Sequence, residues 1–248
     1  MKWRVVELET HDAFLNMALD QAVSESILAG DSPPTIRVYK WKPSAVSIGY
    51  FQSMNDEVNI QKCEELGVDY VRRRTGGGAV YHDSEGEITY SVIAPESNFP
   101  RDIIESYEII CSWIVDGLSR INIHASFAPI NDIVVSGKKI SGNAQTRRGG
   151  TLLQHGTILY DLDVKTMFTV LRLSSEKISD KMIRSVEERV TRVLNYANVS
   201  QEELCEALLQ GFTKGKEYEI GEWSDEEMNR ARELAETVYR TREWNFRR

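Results

Sequence analysis

Cysteine is scarce in this chain, with three thiols among 248 residues, Cys63, Cys111 and Cys205, set far apart and in no metal-binding spacing. Three cannot all pair, so a disulfide framework is excluded and a reducing compartment is favoured. Each reads as a buried or indifferent thiol. Long apolar runs are also missing: no segment approaches the ~20 residues needed to span a bilayer, and the start MKWRVVELETHD carries none. A soluble, cytoplasmic protein with no membrane contact is expected. Positive charge is in deficit, 30 Lys and Arg against 38 Asp and Glu for a net charge of −8, which argues against a broad nucleic-acid surface. At this length the chain can bury about 70–75% of its unfolded surface and needs no staples to fold.

The familiar phosphate-binding signatures are absent as well. A P-loop requires Gly-Lys-Ser/Thr after its spacer, and a dinucleotide fingerprint spreads its glycines over six positions before a helix. What stands in their place is RRRTGGGAVYHD, from Arg72 to Asp83. Three arginines run into Gly76, Gly77 and Gly78, so cationic side chains lie beside backbone that can approach a ligand closely, a combination suited to an anion. A glycine triplet between apolar runs also serves as a flexible turn. The other basic pairs, Lys138-Lys139 and Arg147-Arg148, fall in the same central part of the chain. A confined basic focus on an acidic protein fits a small anionic ligand better than a polymer.

Along the chain, a strand near Trp3–Leu8 precedes apolar positions at helical spacing over 12–29, with Asp12 as cap and Gly30 as stop. Thr35–Tyr39 and Ala45–Gly49 alternate as two strands across Lys42-Pro43, which predicts a hairpin. A short helix capped by Asn59 ends before Gly67, and a strand at Val68–Val71 delivers the arginines and glycines, with chain returning as a strand at Ala79–Tyr81. After a strand at Ile88–Ile93, a helix over Asp102–Leu118 places Cys111 on its apolar face, hence in the core. From about residue 164 the chain turns helical, with capping boxes at Ser200/Glu203 and Ser224/Glu227. No linker or repeat interrupts it, so 1–248 is expected to be a single domain.

The second informative stretch is NDIVVSGKKISGNAQ, Asn131 to Gln145. Ser136-Gly137 reads as a two-residue hairpin turn. That register pairs Val135 with Lys138, Val134 with Lys139, Ile133 with Ile140 and Asp132 with Ser141. Asp132, Lys139 and Ser141 then project from one face and the isoleucines from the other. A carboxylate, an ammonium and a hydroxyl so grouped can position a phosphate, a metal ion or a carbonyl; a surface ion pair on an ordinary hairpin fits the same residues. Small residues from Gly142 onward allow backbone to approach a ligand. His82, directly behind the glycines, is a site candidate by position, whereas His155 in LLQHGTIL fits a hydrogen-bonded core histidine equally well.

RRRTGGGAVYHD, NDIVVSGKKISGNAQ and LQHGTILYDLD, in this order, together with LNMALD, SIGYFQ and REWNF, resemble the catalytic domain of lipoate-protein ligases. That family shares its fold with biotin-protein ligases and octanoyltransferases, and the resemblance covers nearly the whole chain. It implies an α/β (α+β) fold, a large, mostly antiparallel or mixed sheet flanked by helices. It further implies an ATP-dependent ligase that uses Mg²⁺ and lipoate to form lipoyl-AMP. The lipoyl group would then pass to a lysine of a lipoyl carrier domain, such as that of a 2-oxoacid dehydrogenase E2 or the glycine-cleavage H protein. By motif match Lys139 is the catalytic residue, and Arg72 or Arg73 faces the phosphate or carboxylate. Gly76, Gly77 and Gly78 line the acyl-adenylate, Asn131 and Asp132 hold the metal or pyrophosphate end, and His82 and His155 shape the site beside Ser141 and Gly142.

Two departures bear on this. Many such ligases continue into a small accessory domain after the equivalent of Trp244-Asn245-Phe246, and this chain stops at Arg248, so a separate accessory protein is expected. GEITYSVI and AQTRRGGTLLQHGTIL resemble octanoyl- and lipoyl-transferases at least as well, but those use a thiol near the site, and no cysteine lies between Asn122 and Gln154. The alternatives are therefore such a transferase acting from an acylated carrier protein, or a non-catalytic acyl-binding homologue. All of these require the glycine stretch and the Lys139 hairpin to close around one ligand.

Overall fold

Eleven strands in two sheets carry the architecture, as seen in a computed structural model that describes residues 2–172 and 180–248. In chain order they are β1 (Trp3–His11), β2 (Thr35–Trp41), β3 (Ala45–Ile48), β4 (Asp69–Arg72), β5 (Val80–His82), β6 (Glu87–Pro95), β7 (Ser126–Ala128), β8 (Asp132–Val135), β9 (Lys138–Arg148), β10 (Thr151–Leu159) and β11 (Tyr218–Ile220). The helices are α1 (Ala13–Ala29), α2 (Met54–Glu57), α3 (Ile60–Leu66), α4 (Ile103–Arg120), α5 (Val164–Val170), α6 (Asp180–Arg189), α7 (Gln201–Thr213), α8 (Asp225–Leu234) and α9 (Arg242–Asn245). The large sheet runs β11-β1-β2-β6-β10-β9-β8-β7. Its β1 is parallel to β2 and β11, and the other pairs are antiparallel. The mixed, mostly antiparallel sheet flanked by helices is the class expected from the sequence.

Alternation along β2 shows how the layers form. Ile36 and Val38 join the core beneath α4 and α7, whose Ile110, Cys111, Ile114, Leu204, Leu208 and Phe212 cover that face. Tyr39 and Trp41, on the other face, pack against α1 and α8. The caps act as their residue types dictate: Asp12 Oδ1 accepts from the Leu15 N–H at 2.8 Å, Gly30 closes α1 at φ +84°, and both serine capping boxes are formed.

Two expectations are corrected. β2 and β3 do not form a hairpin. β2 is buried on both faces and pairs with β1 and β6, while β3 leaves for a second sheet of order β4-β3-β5. That small sheet builds its own core from Val46, Ile48, Val58, Cys63 and Tyr81, closed by Val170 and Leu171 from the α5 end. The C-terminal part is not purely helical either, because β11 extends the large sheet at its β1 edge. Among the described residues, no helix is long and apolar enough to cross a membrane.

Candidate functional site

The hairpin of β8 and β9 pairs Val135 with Lys138 and Val134 with Lys139, as its turn predicts. Beyond that the register slips: Ile133 pairs with Ser141 and Asp132 with Gly142, so Ile140 is the extra residue of a β-bulge. A one-residue shift exchanges faces. Ser141 therefore joins the buried side, wholly inaccessible and 3.4 Å from Asn143 Oδ1, rather than standing beside Asp132 and Lys139. On the open face the Lys139 ammonium lies 2.7 Å from Asp132 Oδ1. Its stem crosses Gly142, where a β-carbon would sit 2.6 Å from Lys139 Cε, so only glycine admits this path. Asn143 Nδ2 donates to the Asn131 carbonyl at 2.9 Å, Asn131 Nδ2 donates back to the Asn143 carbonyl, and the Tyr90 hydroxyl donates to Asn143 Oδ1 at 2.7 Å. This lock holds the bend before β8 against β9.

Arg72 and Arg73, adjacent in an extended chain, point in opposite directions. Arg72 is fully buried, and its guanidinium donates to the carbonyls of Gly49, Tyr50, Gln52, Trp244 and Asn245. It ties the C-terminal segment to the turn after β3 and does not line the cavity that Arg73 borders. The expectation that it faces a ligand is thus corrected, because its donors are consumed by backbone. Arg73 does line the cavity, yet its N–H groups also go to the chain itself: Thr75 Oγ1 at 3.1 Å, the Ser47 carbonyl and Oγ at 3.1 Å, and the carbonyls of Gly76 at 2.7 Å and Gly78 at 2.8 Å. Burial lowers its pKa to about 10, so it remains a cation at neutral pH. Arg73 shapes the glycine loop from within. Gly77 has φ +96°, and a β-carbon on Gly49 would lie 2.0 Å from the Gly77 carbonyl oxygen, so loop and turn meet backbone to backbone.

These parts enclose a cavity of about 340 Å³, the size of a small-molecule site. Gly77 and Gly78 line it together with Lys139, Gly142 and Asn131, so the two remote segments border one cavity. His82 and His155 also line it. Met17, Leu162, Met167 and Leu171 supply apolar surface. Gly76, Ser141 and Asp132 are not in the lining; Gly76 holds Arg73 through its carbonyl, and Asp132 reaches the site by its contact with Lys139. Among the described residues no group of three His, Cys, Asp or Glu side chains is placed to hold a metal. None of the three cysteines lines the cavity: Cys63 and Cys111 are fully buried, Cys205 nearly so, and burial pushes each thiol up to about 12.

Several polar residues behind the lining escaped the sequence reading. Asp20, buried on α1, accepts from Arg37 Nε at 3.0 Å and the Ser91 hydroxyl at 2.9 Å and lies 3.3 Å from His155 Nδ1. Burial alone would raise its pKa, but the Arg37 charge and the His155 and Ser91 hydrogen bonds hold it below the usual carboxylate range. Glu87 takes the corresponding place beside His82, its Oε1 2.7 Å from Nδ1, while Trp41 stacks on that imidazole at 4.0 Å. Asn16 and Asp20, four apart inside an otherwise apolar helix face, were the available signal.

Comparison with known proteins agrees with this architecture. Residues 12–213 match the family model of the lipoyl protein ligase A/B catalytic domain, and the chain belongs to that family. It is 36% identical to the octanoyltransferase LipM of Brevibacillus brevis over 276 residues, covering 100% of this chain and 99% of that protein. With the octanoyltransferase LipM of Kyrpidia tusciae the identity is 39%, covering 99% of each. Among solved structures, a bipartite lipoate protein ligase of Thermoplasma acidophilum, studied with its E2 lipoyl domain, superposes with a TM-score of 0.88 at 32% identity, covering 99% of this chain and 96% of that one. A lipoate-protein ligase A bound with ATP gives 0.86 at 30% identity, covering 99% of both chains. The chain is an enzyme of the lipoate ligase and octanoyltransferase family.

Proposed function

We propose that this chain transfers a lipoyl or octanoyl group to a lysine ε-amine of a lipoyl carrier domain, using an acyl-adenylate made from the free acid and ATP. One observation carries the choice of donor: the only cysteines in the chain are core residues, whereas Lys139 lines the same small-molecule-sized cavity as the glycine loop. An acid and a triphosphate are both anions, and bringing them together calls for a fixed cation and exact placement of the reacting atoms. Lys139 donates to the carboxylate and α-phosphate oxygens, the carboxylate oxygen attacks phosphorus, and pyrophosphate leaves. The carrier amine then attacks the acyl carbonyl and AMP departs, with Lys139 still against the oxygens that gain charge. Met167, Leu171 and Leu162 take the hydrocarbon tail. Asp132 lies outside the cavity lining and is paired with Lys139, so Mg²⁺ would be held mainly by phosphate oxygens and water, where it would neutralise the pyrophosphate. The bipartite lipoate protein ligase, described with its E2 lipoyl domain, is the precedent for a lipoyl domain as partner and for a ligase made of two parts.

A second reading is octanoyl transfer from an acylated carrier protein, without ATP. Sequence comparison favours it, since the octanoyltransferases are 36% and 39% identical across almost the entire chain. Its thioester step lacks an accessible thiol here. The test is to supply a lipoyl carrier domain with one donor at a time: lipoate or octanoate with ATP and Mg²⁺, preformed lipoyl-AMP, or octanoyl-acyl carrier protein. Carrier acylation from the preformed adenylate supports the first reading whether or not a second polypeptide is needed to make it. Acylation from the octanoyl-carrier alone supports the second, and acylation from no donor removes both.

A further inference from the structure

Two carboxylate–imidazole–hydroxyl chains converge on one guanidinium. In the first, Asp20 Oδ2 lies 3.3 Å from His155 Nδ1, His155 Nε2 lies 2.7 Å from Thr75 Oγ1, and Thr75 Oγ1 accepts from Arg73 Nε at 3.1 Å. In the second, Glu87 Oε1 lies 2.7 Å from His82 Nδ1, His82 Nε2 lies 2.8 Å from Ser47 Oγ, and Ser47 Oγ accepts from Arg73 Nη1 at 3.1 Å. Four different parts of the chain supply the two carboxylates and two imidazoles: α1, β10, β6 and β5.

The protons in these chains can be assigned from donor counts. Arginine only donates, so each hydroxyl oxygen accepts from Arg73; each Nδ1 faces a carboxylate oxygen, so a neutral imidazole keeps its one proton there and leaves Nε2 to take the hydroxyl hydrogen. Nε2 of both histidines is then an acceptor, and the ring proton sits on Nδ1, where a carboxylate accepts it. Burial holds the pKa of His155 below its ordinary value despite Asp20, in agreement with the neutral form. A charged His155 would present N–H to Thr75 Oγ1 and leave the threonine hydrogen without its acceptor. The arrangement looks like that of a nucleophilic hydroxyl, but Thr75 is fully buried and Ser47 is 1% exposed. Thr75 is closed off from a carbonyl, and Ser47, though it borders the cavity, presents almost no surface to one.

We propose that His82 and His155 are positioning residues: through Ser47 and Thr75 they hold Arg73, and Arg73 in turn holds the Gly76–Gly78 loop as a wall of the cavity. The last link is direct, because Arg73 Nη2 donates to the carbonyls of both Gly76 and Gly78. Reading that wall as part of an acyl site rests on the proposed function; the bracing of the loop does not.

The experiment compares Thr75→Val, which keeps the shape and removes the hydroxyl, with Thr75→Ser, which keeps the hydroxyl and loses a methyl. Amide exchange is read at Tyr50, whose N–H donates to the Thr75 carbonyl at 2.9 Å, and at Arg73, whose N–H donates to the Ile48 carbonyl at 3.0 Å. A buried donor left without its partner is expected to speed exchange at both amides roughly tenfold or more in Thr75→Val, while Thr75→Ser stays close to the parent protein. In transfer assays Thr75→Val raises KM for the acyl donor more than it lowers kcat, and Thr75→Ser restores KM. Equal exchange in Thr75→Val and the parent, or a larger effect from Thr75→Ser than from Thr75→Val, overturns the proposal by assigning Thr75 to packing. An acyl ester detected by mass on Ser47 or Thr75 overturns it by making the hydroxyl a nucleophile. Should Thr75→Val not fold, Ser47→Ala makes the same test from the other chain. If no donor supports transfer by the parent protein, the proposed function fails while the exchange data still decide the bracing.

Discussion

Lys139 and Asp132 face each other at 2.7 Å because Ile140 bulges from β9 and Gly142 leaves room for the lysine stem. The pair is partly exposed, so solvent screens it and it contributes little to folding. Its worth lies in where it puts the ammonium.

Lys139→Ala is accordingly expected to reduce carrier acylation by about a hundredfold or more. Stability should change by less than about 1 kcal/mol. Transfer kinetics and thermal melts of the same preparation check both parts. Full activity in a folded Lys139→Ala protein would reject the assigned role.

Gly142→Ala separates position from charge. The new methyl clashes with the flexible end of Lys139, at 2.6 Å from Cε and 2.7 Å from Nζ, and makes an ordinary contact with Asp132 Oδ1 at 3.8 Å, so the lysine rather than the strand must move. Melting should stay near that of the parent, and transfer should fall about tenfold or more because the cation is displaced. Unchanged kinetics would show that the route over Gly142 is not needed.

Arg72→Lys should cost stability rather than chemistry. A lysine cannot reproduce a planar fork that serves five backbone carbonyls, and those left buried and unpaired cost about 2–4 kcal/mol in all. Urea unfolding gives the loss directly. A variant as stable as the parent would show that the C-terminal segment does not depend on this tie.

Acidification should weaken the fold in two stages. The folded pKa of His155 lies below its unfolded value, so its contribution is complete above about pH 6.5 and declines as pH falls through the folded value. Asp20 is also depressed, and its contribution is lost only below the ordinary Asp range near 3.8. The charged and titratable groups around His155 are Asp20 on α1, Arg37 on β2, Arg73 after β4, and His82 on β5. Melting temperature should therefore fall as pH drops below about 6.5 in the parent and less steeply in His155→Gln. Equal slopes would remove His155 as the source.

The parts legible in the sequence were those where local chemistry decides: Asp12 and Gly30 bounding α1, the serine capping boxes, the Ser136-Gly137 turn, and the meeting of Lys139 with the glycine loop. What stayed hidden depends on partners distant in the chain. Three arginines in a row look alike, yet strand alternation sends Arg72 to the C-terminal segment and Arg73 into the loop. The bulge at Ile140 leaves no compositional mark, so the ideal register put Ser141 on the wrong face. The departure of β3 into a second sheet follows from β2 being claimed on both edges, by β1 and β6, which no local pattern reveals. Asp20 and Glu87 read as ordinary polar positions until the imidazoles they orient are placed beside them.

The most direct measurement is the intact mass of enzyme and carrier domain in a single turnover, run with the parent chain and with Cys63, Cys111 and Cys205 all changed to alanine. With lipoyl-AMP as donor, the lipoyl increment should appear on the carrier, never on the enzyme, and to the same extent in both proteins. An acyl increment on the parent enzyme that hydroxylamine removes and the triple variant lacks, with carrier acylation lost alongside it, would contradict a thiol-free site.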